Sequence, residues 1–144
     1  MDTKTKTIIM NKARSYLNAG WHCSEGIIMA VGEHYLDEIN PQTLRVSTPF
    51  AGGIGGTNQG LCGALAGGLM VIGALHGRID PETNDDQCMD LAALFREKFL
   101  EHFGCSRCAD LKDNWVEKGS NGTCADLAAQ AAGLLVDVLE GKEI

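Results

Sequence analysis

Residues 53–75, GIGGTNQGLCGALAGGLMVIGAL, join a glycine-rich loop to an apolar segment of small residues. Residues 46–75 carry no charge, but the GGTNQG sequence interrupts them. The apolar part, Leu61 to Leu75, is shorter than the roughly 20 residues that cross a bilayer. We therefore interpret residues 61–77 as a buried, Gly/Ala-rich central helix without membrane insertion. Cys62 lies at its start, so the fold places a thiol beside the glycine loop.

Helical periodicity extends over the rest of the chain, and no segment alternates as a strand does. The sequence predicts an all-α fold, a compact bundle of about six helices in one domain over residues 1–144. The expected helices cover residues 3–18, a segment capped by Ser24, a short piece at 44–50, residues 61–77, a segment from DPETNDD to Phe103, residues 107–118, and a last helix opened by Thr123.

The composition restricts the classes of partner. Hydrophobic residues make up 44% of the chain and charged residues 22%, as in ordinary globular proteins. The net charge is −7 and no basic cluster occurs, which disfavours nucleic acid and anionic membrane surfaces. Residues 1–17 lack the apolar core and cleavage site of a signal peptide. We expect a cytoplasmic location.

Six cysteines in such a chain indicate metal binding or redox chemistry, or burial as small apolar residues, rather than a disulfide framework. Four of them fall at predicted helix starts: Cys23, Cys62, Cys108 and Cys124. The unpaired N–H groups and the dipole of a helix start favour a thiolate and lower its pKa. We expect these four thiols to converge on one site.

We expect the glycine loop to approach this site closely, with Gly55, Gly56 and Gly63 as backbone support. Glycine permits positive φ and close contact.

Three further side chains could contribute to such a site or lie outside it. Cys105 forms a CxxC pair with Cys108, which indicates a metal site or a redox dithiol. His22 adjoins Cys23 and could ligate a metal or tune a thiolate. Cys88 falls on the inward face of its predicted helix, where packing is the better explanation.

The order Cys23, CGALAG at 62–67, Cys108 and Cys124 resembles the C_GCAxxG_C_C family of redox-active proteins. AGGIGG at 51–56 and FGCSRCADL at 103–111 extend the resemblance over nearly the whole chain. It implies an all-helical domain and a redox or metal-centre role, with iron–sulfur binding the usual suggestion. By position, the four family cysteines are those at the predicted helix starts, and Cys88 and Cys105 are extra.

Four functions stay open at this point. The first is an iron–sulfur cluster on the four cysteines, transferring electrons to an unknown redox partner. The others are thiol–disulfide exchange through Cys105 and Cys108, a structural zinc site, and a non-catalytic binding module. The Gly/Ala-rich helix could mediate a homodimer as readily as an intramolecular contact.

Overall fold

The computed structural model describes residues 1–117 and 122–142, and these ranges contain seven α-helices and no strand. The helices are α1 Thr3–Asn18, α2 Cys23–Tyr35, α3 Pro41–Ser47, α4 Gly63–His76, α5 Asp86–Phe103, α6 Cys108–Leu111 and α7 Cys124–Leu139. A 3₁₀ turn, Thr48–Phe50, follows α3, and a π-helical turn, Lys112–Glu117, follows α6. The all-α prediction is confirmed. Residue 118, the predicted end of the short helix at 107–118, lies outside the described residues.

Helix α4 is the central element and packs against α2, α3, α5 and α7. Its glycines allow the close approach of two neighbours. A Cβ atom at Gly67 would lie 2.5 Å from the Ser24 carbonyl oxygen on α2, and one at Gly68 would overlap the Phe95 ring on α5. The small side chains within residues 61–77 therefore allow neighbouring helices to pack closely against α4. Within the described ranges, no helix is both long and apolar enough to cross a bilayer.

The first and last helices lie side by side and bring the two ends of the chain together. Helices α1 and α7 make the most extensive helix pair in the fold. Lys6 on α1 contacts the buried carboxylate of Asp137 on α7 at 2.7 Å, and Arg14 contacts Asp126 at 2.8 Å. These pairs fix the register of α1 on α7.

Helix α2 begins two residues earlier than a helix capped by Ser24 would, and Ser24 is not its cap. Cys23 is the first residue of the helix, and His22 precedes it with an extended backbone. The Glu25 side chain accepts a hydrogen bond from the His22 N–H at 2.9 Å. Ser24 instead faces inward, where its hydroxyl donates to the Ser47 carbonyl at 2.9 Å. The buried hydroxyl is satisfied by the neighbouring helix α3, a partner that the local sequence does not reveal.

Candidate functional site

Four cysteines border one cavity of about 360 Å³: Cys23, Cys62, Cys108 and Cys124. They come from the starts of α2, α4, α6 and α7. Leu17 at the end of α1 and Trp21 in the connection to α2 add to the wall. The structure thus brings together, around one space, thiols that lie far apart along the chain.

Backbone hydrogen bonds between two loops hold Cys62 next to Cys108. The N–H of Cys62 donates to the Ser106 carbonyl at 2.7 Å, and the N–H of Cys108 donates to the Gly60 carbonyl at 2.9 Å. The N–H of Ala109 donates to the Asn58 carbonyl at 2.8 Å. These three bonds fasten the loop before α4 to the loop before α6, so the two thiols enter the cavity together.

The glycine loop has an unusual backbone. All five residues from Gly52 to Gly56 have positive φ, between 59° and 74°. Four are glycine, which adopts this conformation at no steric cost, and only Ile54 carries a side chain. The Gly56 N–H donates a hydrogen bond to the Ala51 carbonyl at 3.2 Å, which closes this turn. The AGGIGG sequence is therefore explained by a left-handed turn.

Gly53 and Gly63 are the glycines that lie against the cysteines of the cavity. A Cβ atom at Gly53 would lie 2.5 Å from the Cys108 Cβ, and one at Gly63 would overlap the Cys23 sulfur. Gly55 and Gly56 are exposed, and a Cβ at either would meet nothing within 4 Å. The Cys23 sulfur therefore leaves no room for a side chain at residue 63, whereas the two glycines at the tip of the turn have open space around them.

Burial differs among the four thiols and governs their acidity. Cys62 is 6% exposed, Cys108 is also buried, Cys23 is half-buried and Cys124 is exposed. Burial, reinforced by the nearby Cys23, raises the pKa of the Cys62 thiol to about 12, although backbone N–H groups of α4 oppose the shift. Burial also raises the pKa of Cys108, and Lys112 partly counteracts it. The lower pKa values expected at helix starts are not found for these two thiols, because desolvation outweighs the helix terminus.

Comparison with known families gives a match over most of the chain. The family model described as "Putative redox-active protein (C_GCAxxG_C_C)" matches residues 21–138. The chain belongs to this family. Comparison with curated proteins and with solved structures gave no match. The matched range contains all four cysteines of the cavity, so membership in the C_GCAxxG_C_C family supports a redox role for this chain.

The remaining sequence-predicted side chains are divided between the cavity and the core. His22 lines the cavity beside Cys23. Cys105 and Cys88 are half-buried and pack against the hydrophobic core, outside the set of described residues that line the cavity. The Cys105 sulfur lies 4.0 Å from the Phe103 carbonyl, and burial raises its pKa. The CxxC pair of this family member is therefore split, with Cys108 in the cavity and Cys105 outside it.

Two polar residues were not predicted from the sequence: Lys112 in the cavity wall and Asn58 next to it. Lys112 Nζ donates to Asn58 Oδ1 at 3.0 Å, and Cys108 Sγ donates to the same oxygen at 3.5 Å. Lys112 could have been found from its position four residues after Cys108, since residues at this spacing share a helix face. Asn58 has a φ of 65°, a conformation that asparagine tolerates better than other residues with a side chain.

The arrangement of the donors limits the kind of metal that they suit. Within residues 1–117 and 122–142, no three His, Cys, Asp or Glu side chains are placed to hold one ion. The four thiols instead surround a space. In a [4Fe–4S] cluster each thiolate binds a different iron atom, so the four sulfurs lie farther apart than the four ligands of a single ion. The donor set of this family member fits Cys₄ ligation of a cluster.

Proposed function

We propose that this chain is an electron-transfer protein in which Cys23, Cys62, Cys108 and Cys124 ligate an iron–sulfur cluster. The observation that carries the proposal is the shared cavity, bordered by one thiol from each of four separate helix starts. Four cysteine thiolates are the common ligand set of [2Fe–2S] and [4Fe–4S] clusters. Such a centre supplies one-electron chemistry, consistent with a redox-active family.

The placement of the described donor side chains gives a single zinc ion less support than a cluster. A zinc ion needs its sulfur ligands about 2.3 Å from one point. The described side chains include no group of three donors around one point, whereas the thiols border a space of about 360 Å³. A structural zinc site is also less needed here, because α4, α5 and α7 already supply a core of buried apolar side chains.

The surroundings of the cavity suit an electron-transfer centre. Helix starts stabilise negative charge through their free N–H groups, which offsets the charge of bound thiolates. Cys124 is exposed and Trp21, also in the cavity wall, is 42% exposed, so the cavity reaches solvent at these residues. We expect an electron donor or acceptor to approach there.

Thiol–disulfide exchange through Cys105 and Cys108 has less support. Cys105 lies outside the described lining of the cavity that Cys108 faces. Burial raises the pKa of both thiols, which reduces the fraction of attacking thiolate at neutral pH.

Anaerobic reconstitution with iron and sulfide tests the cluster. We expect the wild-type protein to gain visible absorbance and bound iron. Cys62→Ser should lose both, because a hydroxyl is a far poorer ligand than a thiolate for this metal centre. Cys105→Ser and Cys88→Ser are matched controls, since each removes one thiol outside the described cavity lining, and both should keep the colour and the iron.

A wild-type protein that binds no iron would overturn the proposal. Equal loss of iron in the Cys62 and Cys105 variants would also contradict it, because the cavity assigns only the first thiol to the centre.

A further inference from the structure

A polar pair lies beside Cys108 at the wall of the cavity. The Asn58 amide oxygen accepts hydrogen bonds from the Lys112 ammonium at 3.0 Å and from the Cys108 thiol at 3.5 Å. A positive charge and a cavity thiol therefore share one acceptor. The glycine-rich loop and residues 108–112 create this contact, although Asn58 and Lys112 lie 54 positions apart in the sequence.

The backbone of Asn58 is fixed on both sides. Its N–H donates to the Gly52 carbonyl at 2.8 Å, and its carbonyl accepts from the Ala109 N–H at 2.8 Å. The residue also has a φ of 65°, in the left-handed region. These constraints direct its side chain toward Cys108 and Lys112, which is a geometry that a freely mobile loop would not hold.

Lys112 is the only Asp, Glu, Lys or Arg among the described residues that line the cavity. The chain as a whole has a net charge of −7, so Lys112 places a positive charge at the cavity of a protein that is negative overall. Thiolates are negative, and each one-electron reduction of a thiolate-ligated centre adds one more negative charge. An adjacent ammonium stabilises that charge and favours the reduced state.

We propose that Lys112 and Asn58 are positioning residues that balance the charge of the four-thiol centre. Asn58 holds the ammonium near Cys108, and the ammonium stabilises negative charge at the sulfur. The effect on electron transfer rests on the proposed function, and the added electron comes from an external one-electron reductant.

Reductive titration of the reconstituted protein with dithionite tests the charge effect. Lys112→Met should lower the ratio of reduced to oxidised centre at least tenfold at a fixed potential, a midpoint about 59 mV more negative. Lys112→Gln should act in the same way, and Lys112→Arg should stay within twofold of wild type. Lys12→Met is the control, since Lys12 pairs with Glu33 at 3.0 Å on the surface and should leave the midpoint unchanged.

Asn58→Gly tests the positioning role, because glycine keeps the left-handed backbone and removes only the amide. We expect a smaller shift in the same direction. In the Asn58→Gly background, Lys112→Met should change the ratio less than threefold, because the ammonium is no longer held near Cys108.

Alkylation of the metal-free protein separates this inference from the cluster proposal. Lys112→Met should slow the reaction of Cys108 with iodoacetamide about tenfold at a fixed pH, measured by peptide mass spectrometry, and Lys12→Met should not. If Lys112→Met binds iron and its midpoint is unchanged, the charge-balancing role of Lys112 and Asn58 is refuted and the cluster proposal still holds. No iron uptake with slowed alkylation would refute the cluster and support the pair. Unchanged alkylation and an unchanged midpoint would refute the pair.

Discussion

Gly53 and Gly55 lie two residues apart in the left-handed turn, yet only one of them has close neighbours. Their φ values are 66° and 60°, so an alanine at either position strains the backbone to a similar extent. A Cβ at Gly53 would also meet the Cys108 Cβ at 2.5 Å and the Asn58 Cα at 2.8 Å, whereas a Cβ at Gly55 would meet nothing within 4 Å. The pair separates backbone strain from contact with the thiol site.

We expect Gly55→Ala to lower the free energy of unfolding by about 1–2 kcal/mol, the cost of a left-handed residue with a side chain. Gly53→Ala should lower it by roughly a further 1–3 kcal/mol, because the new methyl group displaces Cys108 or Asn58. Urea denaturation measures both values. If both variants lose the same free energy of unfolding, a side chain at residue 53 does not displace Cys108.

The same turn shows what the sequence could and could not indicate about single residues. The run of glycines predicted close backbone approach to the thiols, and the four helix-start cysteines could be selected as one group. Which glycine touches a thiol depends on hydrogen bonds between residues 58–60 and 108–109, which form across about 50 positions of the chain. Such non-local contacts have no signature in the loop itself, so the sequence does not indicate which of its glycines lies against Cys108.

At the scale of the helix, α4 carries glycines with opposite roles. A Cβ at Gly67 would lie 2.5 Å from the Ser24 carbonyl oxygen, where α2 crosses α4, and one at Gly73 would meet nothing within 4 Å. Gly67 therefore sets the distance between the helices that carry Cys23 and Cys62. Gly73 lies exposed in the last part of α4 and limits only helix stability.

Gly67→Ala should destabilise the fold by about 1–3 kcal/mol, because the methyl group forces α2 away from α4. Gly73→Ala should stabilise it by roughly 0.5–1 kcal/mol through the higher helix propensity of alanine. Urea midpoints compare the two variants under one condition. A stabilising Gly67→Ala would be incompatible with the close helix crossing.

Helix boundaries were predictable where periodicity and caps agree and less so where tertiary contacts intervene. Residues 3–18 match α1, and Thr123 caps α7 as expected, with its side chain and that of Asp126 reciprocally bonded. Residues 61–77 were predicted as one helix, but α4 begins at Gly63 because Leu61 pairs with Arg107 in an isolated β-bridge. The packing of α2, α4, α6 and α7 around one cavity depends on long-range contacts, which explains why the sequence indicated convergence but not the cavity's lining.

At the scale of the whole molecule, the thiol cavity is linked to global stability through Cys62. The metal-free fold holds this thiol in a buried position and raises its pKa from 9.0 to about 12. The folded state therefore retains a proton that the unfolded chain releases between these pH values. The stabilisation is fully present below about pH 9 and is lost as the pH rises through 12.

We expect the free energy of unfolding of the metal-free protein to fall between pH 9 and pH 12 more steeply than that of Cys62→Ala. The difference in slope should approach 1.4 kcal/mol per pH unit in the middle of this window, because one proton is held by the folded state alone. Urea denaturation at several pH values measures both slopes, and the tyrosines and lysines common to the two proteins titrate equally in each. Parallel curves would mean that the folded protein leaves the Cys62 thiol open to solvent. Bound metal should abolish the extra fall in the free energy of unfolding of the wild-type protein over this pH range. Ligation replaces the proton on the Cys62 sulfur, so that sulfur no longer titrates there.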